Sequence, residues 1–282
     1  MSQPTHLVVV CGHAIWKGGP RNGLDESEWL IEGYKQGETP TFIEHIKAGV
    51  RILGEDDSAI LVFSGGPTRP EVNLSEARSY ANLAAASSYY NLLPPGHADP
   101  VATARVLLEE RALDSYANIL FSLVAFWRAH AAWPQRLTLV SHEFKRARLV
   151  DAHCAAIGFP PDRVAFVGIS PPDLRAVGSA AAADDDDLER AAAEPGRLAA
   201  AKAAKMRDVH AVVGAWMRDP HGVGETLAGK RRQRNCWGVD QMLFRDEEER
   251  SRSGLKTRVL DDGVEALIDD APRPWAYASS GR

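Results

Sequence analysis

A dense group of chemistry-bearing residues follows one of the apolar runs, and it reads Ser141-His142-Glu143-Phe144-Lys145-Arg146-Ala147-Arg148. Three basic residues at the start of a helix oppose the helix dipole, which prefers negative charge there by about 0.3–1 kcal/mol per group. A bound phosphate or carboxylate would reverse that sign, and the Arg146 guanidinium could hold it through two parallel hydrogen bonds. The alternative is that these side chains extend into water. The segment predicts an anion site with Ser141 and Arg146 as ligand-binding residues.

A second segment with ligand-binding chemistry, Ser64-Gly65-Gly66, follows another apolar run. Glycines permit positive φ and let a ligand approach the main chain, so successive N–H groups can hold an anion. A tight turn without a ligand is the alternative. The tripeptide is no phosphate loop, because no Gly-Lys-Ser/Thr follows, and no nucleophile elbow, because Val62 occupies the required glycine position. We therefore expect backbone donors at Ser64, Gly65 and Gly66.

Imidazole and carboxyl groups supply candidates for proton transfer. His13 and His142 follow different predicted strands and could meet, and Glu76 lies in the first turn of a predicted helix. The helix dipole alone would also explain Glu76. Ser115 and Asn118 occupy the matching place in the next unit, where helix capping is the alternative role. We take His13, His142 and Glu76 as catalytic candidates, Ser115 and Asn118 as ligand-binding candidates, and metal ligation as a weaker alternative.

Short apolar runs alternate with amphipathic segments along the first 170 residues. The predicted strands are 6–10, 59–63, 103–109, 137–140 and 164–169, and the predicted helices are 41–53, 76–88, 116–130 and 144–157. This alternation predicts an α/β fold with a mainly parallel, doubly wound sheet of about five strands. Right-handed crossovers place the strand ends at one edge, where ligands bind. His13, Ser64 and Ser141 are expected to converge there.

The composition changes after this alternating part, which we assign to a domain over residues 1–175. Residues 176–197 are rich in alanine and aspartate and are predicted to be a low-complexity insertion with a solvated aspartate run. Residues 198–282 are expected to hold a helix that packs on the sheet, from 198 to 217, and a partly irregular, loosely attached tail. The basic stretch 230–234 is interpreted as a solvated face.

The long polar loop from Trp16 to Gly37 is predicted to be functional or disordered, because loops of this length are uncommon in compact domains. Trp16 and Tyr34 could stack on a planar ring of a ligand, or could simply form a covering contact.

Bulk properties narrow the class of protein. The net charge of −5 argues against a nucleic-acid-coating role, which usually shows a basic excess. The three cysteines are widely spaced and predict neither a disulfide framework nor a zinc site. The N-terminus lacks a signal-peptide pattern, and no apolar run approaches the roughly 20 residues of a membrane span. We therefore expect a cytoplasmic protein whose partner is a small anionic ligand, with no nucleic acid and no membrane involved.

The motifs, taken in order, resemble domain-of-unknown-function family 218, the YdcF/SanA/ElyC-like proteins. The resemblance covers residues 6 to 170 and rests on a Gly-His-type loop after the first strand, Ser64-Gly65-Gly66, Ser75-Glu76-Ala77, Asp114-Ser115-x-x-Asn118 and Val140-Ser141-His142-x-x-x-Arg146-Ala147. It implies a Rossmann-like three-layer α/β/α fold and an adenosyl-type ligand, S-adenosylmethionine, without an established reaction. The implied pocket residues are His13, Ser64, Gly65, Gly66, Glu76, Ser115, Asn118, Ser141, His142 and Arg146. Since this chain shows no membrane anchor, it resembles a cytosolic eukaryotic branch that departs from the bacterial pattern in residues 16–37 and after Pro171.

These observations predict a protein that binds an anionic, nucleotide-like small molecule, either S-adenosylmethionine-type or phosphorylated, at the carboxyl ends of the strands. They leave open whether a reaction is catalysed. One alternative is a hydrolase acting on a phosphate or ester, metal-assisted or built from Ser64 or Ser141 with His142 and Asp114. The other is a non-catalytic interaction module that uses the charged C-terminal segments.

Overall fold

The structure is a computed structural model that describes residues 3–94, 105–171 and 211–276. Its strands are β1 (His6–Cys11), β2 (Ile15–Trp16), β3 (Trp29–Leu30), β4 (Ala59–Ser64), β5 (Val106–Glu109), β6 (Arg136–Ser141), β7 (Val164–Gly168), β8 (Thr257–Val259) and β9 (Glu265–Leu267). Its helices are α1 (Thr39–Glu55), α2 (Glu76–Ala86), α3 (Ser115–His130), α4 (Ala155–Ile157), α5 (211–218), α6 (Glu225–Arg234) and α7 (Glu247–Ser253).

The central sheet has five parallel strands in the order β5-β4-β1-β6-β7. β4 and β5 lie on one side of β1, and the later strands β6 and β7 lie on its other side. The strand order therefore reverses between β1 and β6. The register sets Cys11 opposite Ser64 and Val10 opposite Val140, which brings the carboxyl ends of three strands level. Ligands of open α/β sheets bind at such a switch point. The predicted Rossmann-like α/β fold is confirmed.

Two apolar layers cover the two faces of this sheet. Val8 and Val10 of β1 pack with α1 and α2, whereas Leu7 and Val9 pack with α3 and the C-terminal residues. Successive side chains of a strand point to opposite faces, so a strand buried on both sides must be apolar throughout. The near-continuous apolar run of β1 therefore places it at the centre of a three-layer structure.

The predicted helix over 144–157 takes a different form. A 3₁₀ turn spans Glu143–Lys145, a wide π-helical segment spans Ala147–Cys154, and only α4 is α-helical. Two other helices begin where the sequence predicts an N-cap residue. The side chains of Ser75 and Asp114 accept hydrogen bonds from the first turns of α2 and α3. The irregular segment follows β6 and determines which basic side chains face the sheet edge.

The loop from Trp16 to Gly37 is built around one buried carboxylate. Glu28 accepts hydrogen bonds from the Trp16 indole (3.2 Å) and from the backbone N–H groups of Arg21 (2.8 Å) and Gly23 (2.7 Å). The same loop contributes β3, which pairs with β2. Trp16 is buried by these contacts, so its ring is part of the fold rather than a stacking surface.

The C-terminal part differs from the loosely attached tail that the sequence predicted. Trp275 is buried, and its indole donates a hydrogen bond to the Gly158 carbonyl (3.1 Å). Arg231, expected to be solvated, is also buried. The expected insertion over 176–197 and most of the predicted helix 198–217 lie outside the described residues. Among the residues that are described, no helix is both long and apolar enough to cross a membrane.

Candidate functional site

His13 and His142 meet at the switch point of the sheet, where their ring centroids are 4.4 Å apart. The expectation that these two residues lie together is confirmed. A third imidazole, His45 of α1, lies 5.2 Å from His13 and 5.0 Å from His142. All three side chains are buried. We call His13, His45 and His142 the histidine cluster.

The histidine cluster is held in its neutral form. Burial lowers the pKa of all three residues, that of His45 to about 4, and the nearby Lys145 cation lowers it further in each. His45 Nε2 lies 2.7 Å from the carbonyl of Ile169, which can only accept, so Nε2 carries the proton. The Glu38 carboxylate is 3.5 Å from His142 Nε2 and is the nearest acid recorded for this ring.

Lys145 and Lys35 both reach His13. Lys145 Nζ lies 2.9 Å from His13 Nδ1, Ser141 Oγ lies 3.1 Å from Nε2, and Lys35 Nζ donates to the His13 carbonyl. Lys35 also pairs with Glu32 at 2.7 Å. Lys145, by contrast, has no carboxylate within ion-pair distance among the described residues. One lysine of the site is therefore neutralised, and the other is not.

Arg148 is a second cation of the site with no carboxylate partner among the residues that the structure describes. Its Nε is buried and makes no hydrogen bond in the described part of the chain. Burial and the neighbouring Arg234 lower its pKa to about 10, and burial together with Arg148 and Lys35 lowers the pKa of Lys145 well below its usual range. Both residues are half-buried, so part of each still borders open space. Both side chains are therefore partly desolvated and still accessible to a ligand from solution.

We call Lys35, Lys145, Arg148 and Arg234 the basic recess. Arg234 stands in the last turn of α6, where it donates to the Leu113 carbonyl (3.1 Å). Residues 230–234, interpreted from the sequence as a solvated face, thus contribute a positive charge to the site. The four cations come from the 16–37 loop, the turn after β6 and the C-terminal segment, which lie far apart in the sequence.

Glu76 packs against two glycines at the strand ends. A Cβ on Gly12 would lie 2.5 Å from the Glu76 Cβ, and one on Gly65, which has φ of 150°, would lie 2.7 Å from Glu76 Oε2. Thr68 Oγ1 donates to the other carboxylate oxygen at 3.1 Å. Burial raises the pKa of Glu76, which favours its neutral form. These glycines make room for Glu76 rather than for a bound anion.

The expected backbone donors at the glycine turn are already occupied. Gly65 N–H donates to the Glu109 carbonyl (3.0 Å) and Gly66 N–H to the Ala112 carbonyl (2.7 Å). Ser64 Oγ donates to Glu109 Oε2 (2.8 Å) and is fully buried. The turn predicted at Ser64-Gly65-Gly66 is present, but its hydrogen bonds tie β4 to β5 and α3. This expectation is corrected because the neighbouring carbonyls satisfy both donors.

The remaining predicted site residues fall into two groups. Asn118 and Ser115 take part in internal contacts: Asn118 Oδ1 accepts from Ser64 Oγ (3.1 Å), and Ser115 Oγ lies 2.8 Å from His153 Nε2. Arg146 is exposed and its guanidinium lies 3.3 Å from Asp151, so it is not part of the recess. Arg148, two residues further on, takes the place that the sequence assigned to Arg146.

The predicted hydrolase arrangement is not assembled. Asp114 caps α3 and pairs with Arg231 at 2.8 Å, and both of these side chains are buried. Ser64 bonds to Glu109, and Ser141 lies against His13 rather than His142. Within the described ranges, no set of three or more His, Cys, Asp or Glu side chains is arranged to hold a metal ion.

The chain is similar to the uncharacterized protein YOR238W of Saccharomyces cerevisiae, with 25% identity over 209 residues. The similarity covers 61% of this chain and 69% of the yeast protein. No family model matches the chain, and no solved structure matches it.

Proposed function

We propose that this protein binds an anionic, nucleotide-like small molecule in the basic recess, with its phosphate groups against Lys145 and Arg148. The observation that carries this proposal is that, within the ranges the structure describes, neither Lys145 nor Arg148 has a carboxylate within ion-pair distance, although burial lowers the pKa of both. A desolvated charge raises the free energy of the folded protein unless an opposite charge pairs with it. An anion from solution would supply the missing charge.

The chemistry of the recess favours a phosphorylated ligand over a sulfonium ligand. An arginine fork matches a phosphate with two parallel hydrogen bonds, and a lysine adds a compact charge. S-adenosylmethionine carries a sulfonium cation, which four basic side chains would repel. Burial raises the pKa of the Glu76 carboxyl, which disfavours the negative charge that would offset this repulsion. The resemblance to family 218, also a proposal, supports the adenosyl part of the ligand.

Each residue of the site has a distinct role in this proposal. Arg148 and Lys145 hold the phosphate oxygens, and Lys35 adds charge from the 16–37 loop. His13 Nδ1 accepts a hydrogen bond from the Lys145 ammonium and so holds that group in the basic recess. In this proposal His13 is a positioning residue.

Isothermal titration calorimetry with pyrophosphate, ADP and S-adenosylmethionine tests the proposal on Arg148→Met, Lys145→Met and Arg146→Met. Hydrogen bonds to charged groups contribute about 1.5–3 kcal/mol, so each recess substitution should weaken pyrophosphate binding about 10- to 150-fold. Arg146→Met is the matched control, since this exposed arginine lies outside the recess. The proposal fails if the unmodified protein binds neither pyrophosphate nor ADP, or if all three variants behave alike.

A further inference from the structure

Trp237 is the exposed member of the seven tryptophans, all of which lie in described parts of the chain, with 42% of its surface accessible. Large aromatic rings in a folded protein are usually mostly buried. No aromatic ring or cation stacks on this indole among the described residues. Its accessible face is therefore available to a planar group from solution.

The Trp237 ring is held in place from two directions. Its Nε1 donates to the Arg69 carbonyl (3.0 Å). Asn235 closes the turn that carries it, because its side chain accepts from Val239 N–H (2.6 Å) and donates to the Val239 carbonyl (3.0 Å). Gly238 completes the turn with a φ of 65°. An aromatic ring fixed in this way loses little conformational entropy when a ligand stacks on it.

Trp237 is connected to the basic recess through Arg69, its hydrogen-bond partner, and through the preceding residues of its own chain segment. Arg69, which holds the indole, lies 3.6 Å from Glu32, and Glu32 pairs with Lys35 of the recess at 2.7 Å. Arg234, three residues before Trp237, belongs to the recess itself. Cys236 Sγ lies 3.8 Å from the Pro67 carbonyl, directly after the Ser64-Gly65-Gly66 turn. The indole is therefore connected to Lys35 through Arg69 and Glu32, and to Arg234 through the chain itself.

We infer that Trp237 is the platform on which the heterocyclic base of the ligand stacks, so that the recess and the indole together recognise a nucleotide rather than a simple phosphate. This inference rests on the proposed function and adds a specificity-determining residue to it. Every base has a π-face, and stacking on an aromatic side chain contributes substantially to nucleotide affinity. The Trp16 ring, considered for this role from the sequence, is enclosed by the fold. The C-terminal segment thus supplies both Arg234 and the base platform.

Calorimetry with ADP and pyrophosphate on Trp237→Ala and Trp237→Phe tests this inference. Trp237→Ala should weaken ADP binding about 5- to 150-fold, the range for a stacked base, and change pyrophosphate binding by less than about two-fold. Trp237→Phe keeps a π-face and should weaken ADP binding less than the alanine variant does. Leu24→Ala, at a side chain 76% exposed, is the surface control. Circular dichroism melting checks that each variant is folded.

Fluorescence gives a second readout that a structural role of Trp237 would not produce. The difference in emission between the unmodified protein and Trp237→Phe isolates this indole, and ADP should quench it whereas pyrophosphate should not. Equal losses of ADP and pyrophosphate binding in Trp237→Ala, or no loss of either, would overturn the base platform. If pyrophosphate binds and depends on Arg148 in that case, the proposed function stands without it. If neither probe binds the unmodified protein, both proposals fall.

Discussion

Lys145 Nζ and His13 Nδ1 lie 2.9 Å apart, and they join the turn after β6 to the end of β1 across the switch point of the sheet. Burial lowers the pKa of both groups, and the Lys145 cation lowers that of His13 further. Lys145 has no carboxylate within ion-pair distance in the described part of the chain. We therefore expect binding of the proposed anion to be coupled to protein stability at this position.

The first prediction is that Arg148→Met stabilises the unliganded protein although it removes ligand binding. Methionine fills a similar volume without a desolvated charge, and substitutions that relieve a functional site commonly add about 0.5–2 kcal/mol. Urea unfolding at neutral pH measures the change in free energy. Arg146→Met should stay within about 0.5 kcal/mol of the unmodified protein. A clear loss of stability in Arg148→Met would show that Arg148 supports the fold.

The second prediction is that sulfate binds more tightly as the pH is lowered from the ordinary lysine pKa of about 10.4 towards neutrality. Burial and neighbouring cations lower the Lys145 pKa in the free protein, and a bound anion raises it again. Binding then takes up a proton, so affinity is lost as the pH rises through the pKa of the bound state. Sulfate does not titrate in this range. Calorimetry should show the dependence in the unmodified protein and not in Lys145→Met, and a flat profile in both would contradict it.

A third prediction concerns unfolding in acid. The His45 pKa is lowered from 6.5 to about 4 by burial, so between these values the unfolded chain takes up a proton that the folded chain does not. Because of this residue alone, the free energy of unfolding should fall by about 1.4 kcal/mol for each unit by which the pH is lowered within this window. His45→Gln, which can still donate to the Ile169 carbonyl, should show a shallower fall in urea titrations across this window. Parallel curves for the two proteins would mean that His45 does not titrate as described.

A fourth prediction concerns the buried pair of Arg231 and Asp114. Both side chains are 7% exposed and lie 2.8 Å apart, so Arg231→Met leaves an uncompensated carboxylate and should cost about 3–5 kcal/mol of unfolding free energy. Arg232→Met is a matched control in the same helix, because its pair with Glu225 is exposed and should contribute about 0–1 kcal/mol. Urea unfolding of the two variants measures the difference. Equal urea midpoints for both would show that the pair of Arg231 and Asp114 does not stabilise the fold.

The sequence predicts the sheet and its helix caps because these depend on local patterns. Asp114 and Ser75 are good N-cap residues directly before amphipathic segments, and each caps its helix. The meeting of His13 and His142 follows from parallel strands ending at one edge. These inferences need only the period of the apolar residues and the right-handed crossover.

The cations of the site could not be assigned in the same way. Choosing Arg148 over Arg146 requires the local helix geometry, and a 3₁₀ turn followed by a π-helical segment leaves no periodic signal in the sequence. His45 lies on the apolar stripe of α1 and resembles a core position. Lys35 and Arg234 come from a loop and a distant helix, so only the tertiary fold brings them to His13 and Arg148.

The π-helical segment Ala147–Cys154 makes the recess sensitive to chain length. Each hydrogen bond of such a segment spans one residue more than in an α-helix, and each α-helical residue turns the chain by about 100°. Deleting a single residue there would turn Arg148 away from the sheet edge while leaving the strands on either side in place. The deletion of one codon, with every other residue unchanged, would therefore remove the Arg148 charge from the proposed binding site.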